Sequence, residues 1–344
     1  MIHELRGKPS NRKLPAEWEQ RAIAILSDPV YRDFGPTFAA EQLAEKHQLP
    51  VSRETLRGWM GKAGLWKSGR RRVQEVHEWH QRRSRCGELA QWDTSDHDWL
   101  EGRGERIYLI SMIDDATSRL FARFARHDSS QENMRLLWSY LEKCGRPLAF
   151  YTDKAGMFQV AVKTKRDQER EGRDRPEMPP TQIARALREL GVAWIPAHSP
   201  QAKGRIERQF LTAQDRLVKG MRVAQVRTLE QANAYLEKKY LPWWNRKLVV
   251  APANAEDAHR PLGQEHDLAA ILSHIEMREV TNDYTVRYQG KLDQIDRRDV
   301  CVGLRKAKVQ VQERLDGTIH MRFQGQYLRI RRCAEPVKPV VPRV

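Results

Sequence analysis

The order of apolar patterns between residues 88 and 221 constrains the fold of this chain more than any other feature of the sequence. Alternating apolar residues, typical of strands, and apolar residues at helical spacing follow one another there. The series runs strand, strand, strand, helix, strand, helix, strand, helix over residues 88–100, 105–117, 119–127, 129–145, 147–153, 181–191, 192–197 and 201–221. This order predicts a mixed α/β sheet with helices on its faces, as in the ribonuclease H-like fold.

Each helix of the series has an apolar face that we expect to be buried. The predicted members are Met134, Leu137, Trp138 and Leu141 in the first helix, Ile183, Leu187 and Leu190 in the second, and Ile206, Phe210, Ala213 and Leu217 in the third. Residues 159–180, before the second helix, are dense in charge and end in two prolines. They predict a mobile loop, which is either a solvated insertion or a DNA contact.

Upstream of the sheet, residues 34–66 predict two short helices joined at residues 48–50, with Ser52 as the N-cap of the second. The expected buried face of the first helix is formed by Phe38, Leu43 and Ala44. The second helix, residues 52–62, carries three cations, Arg53, Arg57 and Lys62. A helix-turn-helix that presents these cations to DNA is one interpretation, and a small helical domain with a solvated charged face is the other.

The charge balance favours a polyanionic partner. The chain has 61 Lys and Arg against 45 Asp and Glu, a formal net charge of +16, so nucleic acid is the expected partner. Residues 67–85 concentrate basic side chains, including Arg70, Arg71 and Arg72, and predict a linker that either follows DNA phosphates or is simply solvated. We expect a cytoplasmic protein without membrane contact, because the sequence has neither a bilayer-spanning apolar run nor a signal-peptide core.

Two further patterns concern the cysteines and the C-terminal part. The cysteines, Cys86, Cys144, Cys301 and Cys333, are far apart without a CxxC pair. This spacing argues against a zinc site or a disulfide framework and predicts reduced, structural thiols. After a connector rich in Pro and Ala, short alternating segments from residue 275 predict antiparallel strands of a small barrel, with a hairpin turn at Asp316-Gly317.

Three acids lie at corresponding places in the predicted elements. Asp93 is in the first strand, and Asp153 ends the fourth strand, which we expect beside the first. Their like charges would repel each other unless a divalent cation lay between them. Glu207 follows Ile206 in the third helix, about 100° from its apolar stripe. Any one of these acids alone is more simply a solvated or ion-paired residue, but their order in three elements favours a cation site.

Four stretches of the chain carry a family resemblance: WDTSDHDWLEGRG, FYTDKAGMF, ALRELGVAWIPAHSPQAKGRIER and FGPTFAAEQLAEKH. They resemble the ISNCY group of bacterial insertion-sequence transposases, within the DDE transposase and retroviral integrase superfamily. The likeness covers nearly the whole chain, and SPQAKGRIER is its most specific part. It implies that Asp93, Asp153 and Glu207 are the catalytic, metal-binding triad. Asp114 and Asp115 fall outside this triad and predict the turn into the third strand.

The resemblance also implies a mechanism and partners. Two Mg²⁺ ions, about 3.5 to 4 Å apart, would hold the scissile phosphate between them. Mn²⁺ could take their place. The implied partner is double-stranded DNA, both the inverted repeats of the insertion sequence and the target, with a homo-oligomer assembled on it. The predicted DNA contacts are Arg53, Arg57, Lys62, Arg70, Arg71, Arg72, Lys203, Arg205 and Arg208. Because the last three flank Glu207, an ordinary ion-paired helix glutamate is the competing interpretation of that residue.

The sequence thus predicts six segments. They are a helix-turn-helix DNA-binding domain over 1–66, a basic linker over 67–87, a ribonuclease H-like integrase catalytic core over 88–250, a connector over 251–274, a small β-barrel over 275–335 and a disordered tail over 336–344. Relatives carry another helix-turn-helix upstream of the segment that matches RGKPSNRKL, which implies a shortened N-terminus. The leading hypothesis is an active transposase, and the alternative is a catalytically silent relic or a DNA-binding regulator of transposition.

Overall fold

A computed structural model describes residues 14–67, 81–152, 180–196 and 204–333. Contacts divide the described chain into two compact units. The first contains residues 14–67, 97–107 and 208–240, and the second contains the remaining described residues. The predicted linker residues Arg70, Arg71 and Arg72, most of the predicted loop of residues 159–180 and the predicted C-terminal tail lie outside the described residues.

The first unit begins with three helices, α1 (Ala16–Leu26), α2 (Pro36–His47) and α3 (Arg53–Lys62). Gln48 ends α2 in the left-handed conformation, with φ of 52°, and Ser52 caps α3 by accepting a hydrogen bond from the Thr55 amide at 3.1 Å. The two predicted helices and the predicted cap are therefore present. The prediction for Ala44 is wrong, because this residue is exposed and Ala39 is buried on α2 instead.

A mixed sheet forms the centre of the second unit. Its strands are β1 (Ala90–Asp96), β2 (Tyr108–Asp114), β3 (Leu120–Ala125), β4 (Ala149–Thr152) and β5 (Ala193–Pro196). They lie in the order β3-β2-β1-β4-β5, with β1, β2 and β3 antiparallel and with β4 and β5 parallel to β1. The predicted mixed α/β sheet is confirmed, and so is the expected position of the fourth strand beside the first.

Helices follow these strands in the predicted order. They are α4 (Ser130–Cys144), α5 (Gln182–Glu189), α6 (Gly204–Val223), α7 (Leu229–Tyr235), α8 (Leu241–Lys247) and α9 (Leu268–Ile271). The predicted apolar faces of α4, α5 and α6 are buried, except that Trp138 is only partly buried. A core of α4 and α5 side chains packs with Trp92 and Phe150 of the sheet. None of the helices in the described residues is long and apolar enough to cross a membrane.

The C-terminal part of the second unit consists of short strands in two small antiparallel sheets. The strands are β6 (His274–Glu279), β7 (Thr285–Tyr288), β8 (Lys291–Ile295), β9 (Lys308–Glu313), β10 (Ile319–Phe323), β11 (Gln326–Leu328) and β12 (Ile330–Arg332). The sheets have the orders β11-β10-β9-β6 and β12-β8-β7 around a shared apolar core. Gly317, with φ of 83°, lies in the predicted turn between β9 and β10. That these sheets form a barrel domain stays a prediction.

Candidate active site

Asp93 lies in the middle of β1, on the face opposite to the main core. Side chains alternate along a strand, so Ala90 and Trp92 enter the core while Gln91 and Asp93 share the other face. The Asp93 side chain accepts a hydrogen bond from the Thr94 amide at 3.0 Å, and the residue is half-buried. A carboxylate in this setting is held by a central strand but still accessible to a ligand.

The second acid of the predicted triad belongs to the chain that follows β4. The parallel register pairs Gln91 of β1 with Tyr151 of β4, two residues before Asp93 and Asp153 in the two segments. Thr152, which ends β4, is fully buried and accepts a hydrogen bond from the Trp194 indole at 2.8 Å. Asp153 itself lies outside the described residues.

Glu207 is exposed in the first turn of α6. The residue before it, Ile206, donates its backbone amide to the side-chain oxygen of Gln91 at 3.1 Å. The first amides of a helix have no partner within the helix, so the Gln91 side chain of β1 satisfies one of them. This bond brings the turn of Glu207 to the strand face that bears Asp93.

Asp115 is a functional candidate that the sequence reading missed. Its Oδ1 atom accepts hydrogen bonds from Arg205 Nε at 2.6 Å and from Gln91 Nε2 at 3.1 Å, and its Oδ2 atom accepts one from the Arg83 amide at 2.8 Å. Only 9% of the Asp115 side chain and 18% of the Arg205 side chain are exposed. The sequence contained one signal for it. An acid follows an apolar strand directly, and an arginine lies two residues before the predicted catalytic glutamate.

Asp114, beside it, has the turn role that the sequence predicted. Its Oδ1 atom accepts hydrogen bonds from the amide and the hydroxyl of Thr117 at 2.8 and 2.7 Å, and its Oδ2 atom accepts one from the Gly87 amide at 2.9 Å. These bonds close the turn between β2 and β3. The two neighbouring aspartates therefore differ in the segments that they contact.

The predicted DNA contacts have different surroundings. Arg53 and Arg57 have side chains that are 67% and 47% exposed, and Arg57 also pairs with Glu54 at 2.7 Å. Lys62 and Arg208 are exposed. Arg205 instead has a partner inside the protein, Asp115. The others, Arg70, Arg71, Arg72 and Lys203, lie outside the described residues.

A separate group of polar side chains lies at the segment before β1, next to the turn that Asp114 closes. Possible ligand atoms of Cys86, Asp257 and His259 are within 4.8 Å of one another. The His259 ring is hydrogen-bonded through Nδ1 to Asp257 at 2.5 Å and through Nε2 to the Tyr140 hydroxyl at 2.7 Å. Burial and the nearby carboxylates of Asp114 and Asp257 raise the pKa of the Cys86 thiol to about 11. Because both ring nitrogens have partners, we interpret the group as a structural hydrogen-bond network.

Gly87 fits closely under this histidine. It has φ of +81°, and a Cβ atom added to it would lie 2.4 Å from His259 Nδ1. Both the left-handed backbone and the lack of space favour glycine at this position.

Comparison with known proteins gives the family. No protein-family model matches the chain. The protein named "Putative transposase y4bF" of Sinorhizobium fredii is 39% identical over 328 residues, which are 95% of this chain and 69% of that protein. The chain belongs to the transposases. The transposase for insertion sequence IS1202 of Streptococcus pneumoniae is 28% identical over 250 residues, which are 72% of this transposase and 51% of that protein.

These relatives confirm the predicted resemblance to insertion-sequence transposases. The transposase chain spans about two thirds of the length of the first relative and about half of the second. A solved structure, the HTLV-2 integrase catalytic core domain in complex with magnesium, is similar over 50% of this chain and 96% of its own, with 14% identity and a TM-score of 0.33.

Proposed function

We propose that this protein is an enzyme that cuts double-stranded DNA at insertion-sequence ends and joins those ends to a target, with Asp93, Asp153 and Glu207 as its catalytic acids. The observation that carries the proposal is the hydrogen bond from the Ile206 amide to Gln91, which holds the turn of Glu207 against the face of Asp93. The parallel pairing of β1 with β4, the strand that leads to Asp153, supports it further. Membership of the transposase family supports the proposed reaction class.

The donor set fits a divalent cation of the Mg²⁺ type. Three carboxylates supply the hard oxygen ligands that Mg²⁺ prefers, and Mn²⁺ accepts the same ligands. Bound there as a pair, the ions would activate water or a DNA 3′-hydroxyl and stabilise the leaving oxygen. The protein's own part is to hold the carboxylates in place. Asp93 is fixed by a central strand, and Glu207 by a helix turn that is bonded to that strand.

DNA binding is proposed for three basic regions. The exposed cations of α3 would contact DNA as the second helix of a helix-turn-helix, the linker arginines would follow phosphates, and Arg208 with Lys203 would lie beside the scissile strand. The two C-terminal sheets are proposed as a barrel domain that joins a DNA-bound homo-oligomer. Arg205 is the weakest of the predicted contacts, because its side chain is mostly buried against Asp115.

The test is a strand-transfer assay with duplex insertion-sequence ends in Mg²⁺. The variants Asp93→Asn, Asp153→Asn and Glu207→Gln should each abolish product and retain DNA binding, because each removes a metal ligand but leaves the basic surfaces intact. Asp96→Asn is the matched control, an exposed acid at the end of the same strand that should keep its activity.

Two results would contradict the proposal. Product formation by any one of the three variants would mean that the wrong acid had been assigned. A wild-type protein that binds the ends and never cuts them, in Mg²⁺ or in Mn²⁺, would favour the alternative, a DNA-binding regulator without catalysis.

A further inference from the structure

The Asp115 carboxylate connects the segment before β1, β1 itself and α6. It accepts hydrogen bonds from the backbone of Arg83, from Gln91 on β1 and from Arg205 on α6, all at 3.1 Å or less. Asp115 and Gln91, the two residues that contact the start of α6, are buried, with 6% and 3% of their surface exposed. Its Oδ1 atom has one charged and one neutral donor, and its Oδ2 atom has a backbone donor. A buried carboxylate with donors on both oxygens is a rigid arrangement.

The carboxylate also determines how the Gln91 amide is oriented. An ionised carboxylate only accepts hydrogen bonds, so the Gln91 group that faces it has to be the NH₂. The amide oxygen of Gln91 then points the other way, where it accepts the Ile206 amide at 3.1 Å. Asp115 therefore holds the first turn of α6 twice, directly through Arg205 and indirectly through Gln91 and Ile206.

Glu207 is the next residue along this turn. Successive helix residues are about 100° apart, so Glu207 and Arg205 point in different directions and do not compete for the same partner. The restraint reaches Glu207 through the helix backbone. A displacement of a metal ligand by about 1 Å is enough to cost roughly 100-fold in rate.

We propose that Asp115 is a positioning residue for Glu207, acting through Arg205 and Gln91 to hold the first turn of α6 against the face of β1 that bears Asp93. The inference rests on the proposed function for its consequence in catalysis. The restraint itself is a property of the fold and is measurable without DNA or metal.

The chain offers a closely matched control in Asp114. This neighbour is also buried, lies at the same end of β2 and accepts hydrogen bonds from Gly87 and Thr117. The bonds of the Asp114 carboxylate hold Gly87 and Thr117, whereas the Asp115 carboxylate accepts a hydrogen bond from Arg205 of α6. The change of Asp114 to Asn and the change of Asp115 to Asn therefore remove the same charge from adjacent sites with different partners.

The first measurement is hydrogen exchange of the apo protein over residues 204–210. In Asp115→Asn and in Arg205→Gln we expect the amides of Ile206 and Glu207 to exchange at least 10-fold faster, because the restraint on the first turn is lost. Asp114→Asn should leave exchange in this peptide unchanged even if it lowers global stability. Arg205→Gln serves as the second route if Asp115→Asn does not fold. Wild-type exchange rates in both Asp115→Asn and Arg205→Gln, or an equal increase in Asp114→Asn, would overturn the proposal.

The second measurement is Mn²⁺ affinity, followed by the electron paramagnetic resonance signal of free Mn²⁺. Loss of residues that orient metal ligands typically weakens metal binding by roughly 10- to 100-fold, and we expect this for Asp115→Asn and Arg205→Gln. The double variant should be no weaker than either single variant, because both changes disable one restraint. Asp114→Asn should bind Mn²⁺ as the wild type does. Wild-type affinity in Asp115→Asn would overturn the link to the metal site.

The same titration separates this proposal from the proposed function. If Asp93→Asn and Glu207→Gln bind Mn²⁺ as tightly as the wild type, the proposed triad is wrong, whatever Asp115 does. If these two lose Mn²⁺ and Asp115→Asn does not, the triad stands and the positioning role of Asp115 fails.

Discussion

The pKa of Glu101, in the first unit, depends strongly on two arginine partners. It accepts hydrogen bonds from Arg222 at 2.8 and 2.6 Å and from Arg103 at 2.5 Å. Burial by itself would raise the pKa of Glu101, but the two guanidinium groups outweigh it and lower the pKa to about 2. Arg222 also pairs with Asp33 at 3.0 Å, so the same network reaches the segment between α1 and α2.

The pKa of Glu101 predicts a pH dependence of stability. A carboxyl group whose pKa is lower in the folded state than in the unfolded state stabilises the protein above its unfolded pKa, and this contribution is lost as the pH falls towards the folded pKa. For Glu101 the loss falls between about pH 4.5 and about pH 2. Glu101→Gln should therefore lower the urea midpoint at pH 7 and weaken its pH dependence below pH 5. Glu54→Gln, at an exposed carboxylate, is the control, and equal pH profiles for both variants would contradict the prediction.

The individual acids show what the sequence could reveal at this scale. Motif and element order predict Asp93 and Glu207 as site residues, and the structure brings their segments together through Gln91 and Ile206. The role of Asp115 was not predictable, because its partner Arg205 is distant along the chain and neither helical nor strand periodicity pairs such residues. Arg205 was predicted to contact DNA, and its burial against Asp115 depends on tertiary structure.

Among the secondary-structure elements, α3 has the most specific predicted role, which is to recognise a DNA sequence. Its exposed arginines, Arg53 and Arg57, lie in its first two turns behind the Ser52 cap. If α3 enters the major groove, replacing both with Gln should reduce discrimination between insertion-sequence ends and random duplexes by about 1 to 3 kcal/mol for a contact that was bidentate to guanine. Binding titrations on the two duplexes would measure this. An equal loss of affinity for both would make α3 a phosphate contact without sequence reading.

Elements with strong local signals were predicted well. The Ser52 cap and the apolar stripes of α4, α5 and α6 depend on neighbouring residues, so the sequence contains the necessary information. The prediction for Ala44 was wrong because its burial does not depend on neighbouring residues alone. Its helical spacing fits a buried face, but only the packing of α2 against the other helices decides which small residues are covered, and that packing covers Ala39.

At the scale of the whole molecule, the net charge of +16 predicts DNA binding that weakens steeply with salt. Replacing the linker residues Arg70, Arg71 and Arg72 with Gln should weaken binding to every duplex and reduce the slope of log affinity against log salt by about 3, since fewer counterions are released. The matched control replaces all three with Lys, which keeps the charge and should keep the slope. An unchanged slope in the Gln variant would mean that the linker is solvated when DNA is bound.

The mixed sheet and the place of its fourth strand beside the first were predictable, because the order of the elements along the chain is typical of one fold. The division into compact units was not. Residues 97–107 and 208–240 group with the N-terminal helices, although no sequence pattern marks them as part of that domain. Their contacts include the ion pairs of Glu101 and Arg222, which join residues that are distant in sequence.

The close fit of Gly87 under His259 has a consequence for the gene. Every missense change of a glycine codon introduces a side chain, and at this position any Cβ atom would meet the imidazole at 2.4 Å on a backbone with φ of +81°. Only the synonymous third-position changes of this codon leave residue 87 without a side chain. In a population of element copies that accumulate random base changes, it is a place where a single amino-acid change forces the His259 ring or the backbone to move.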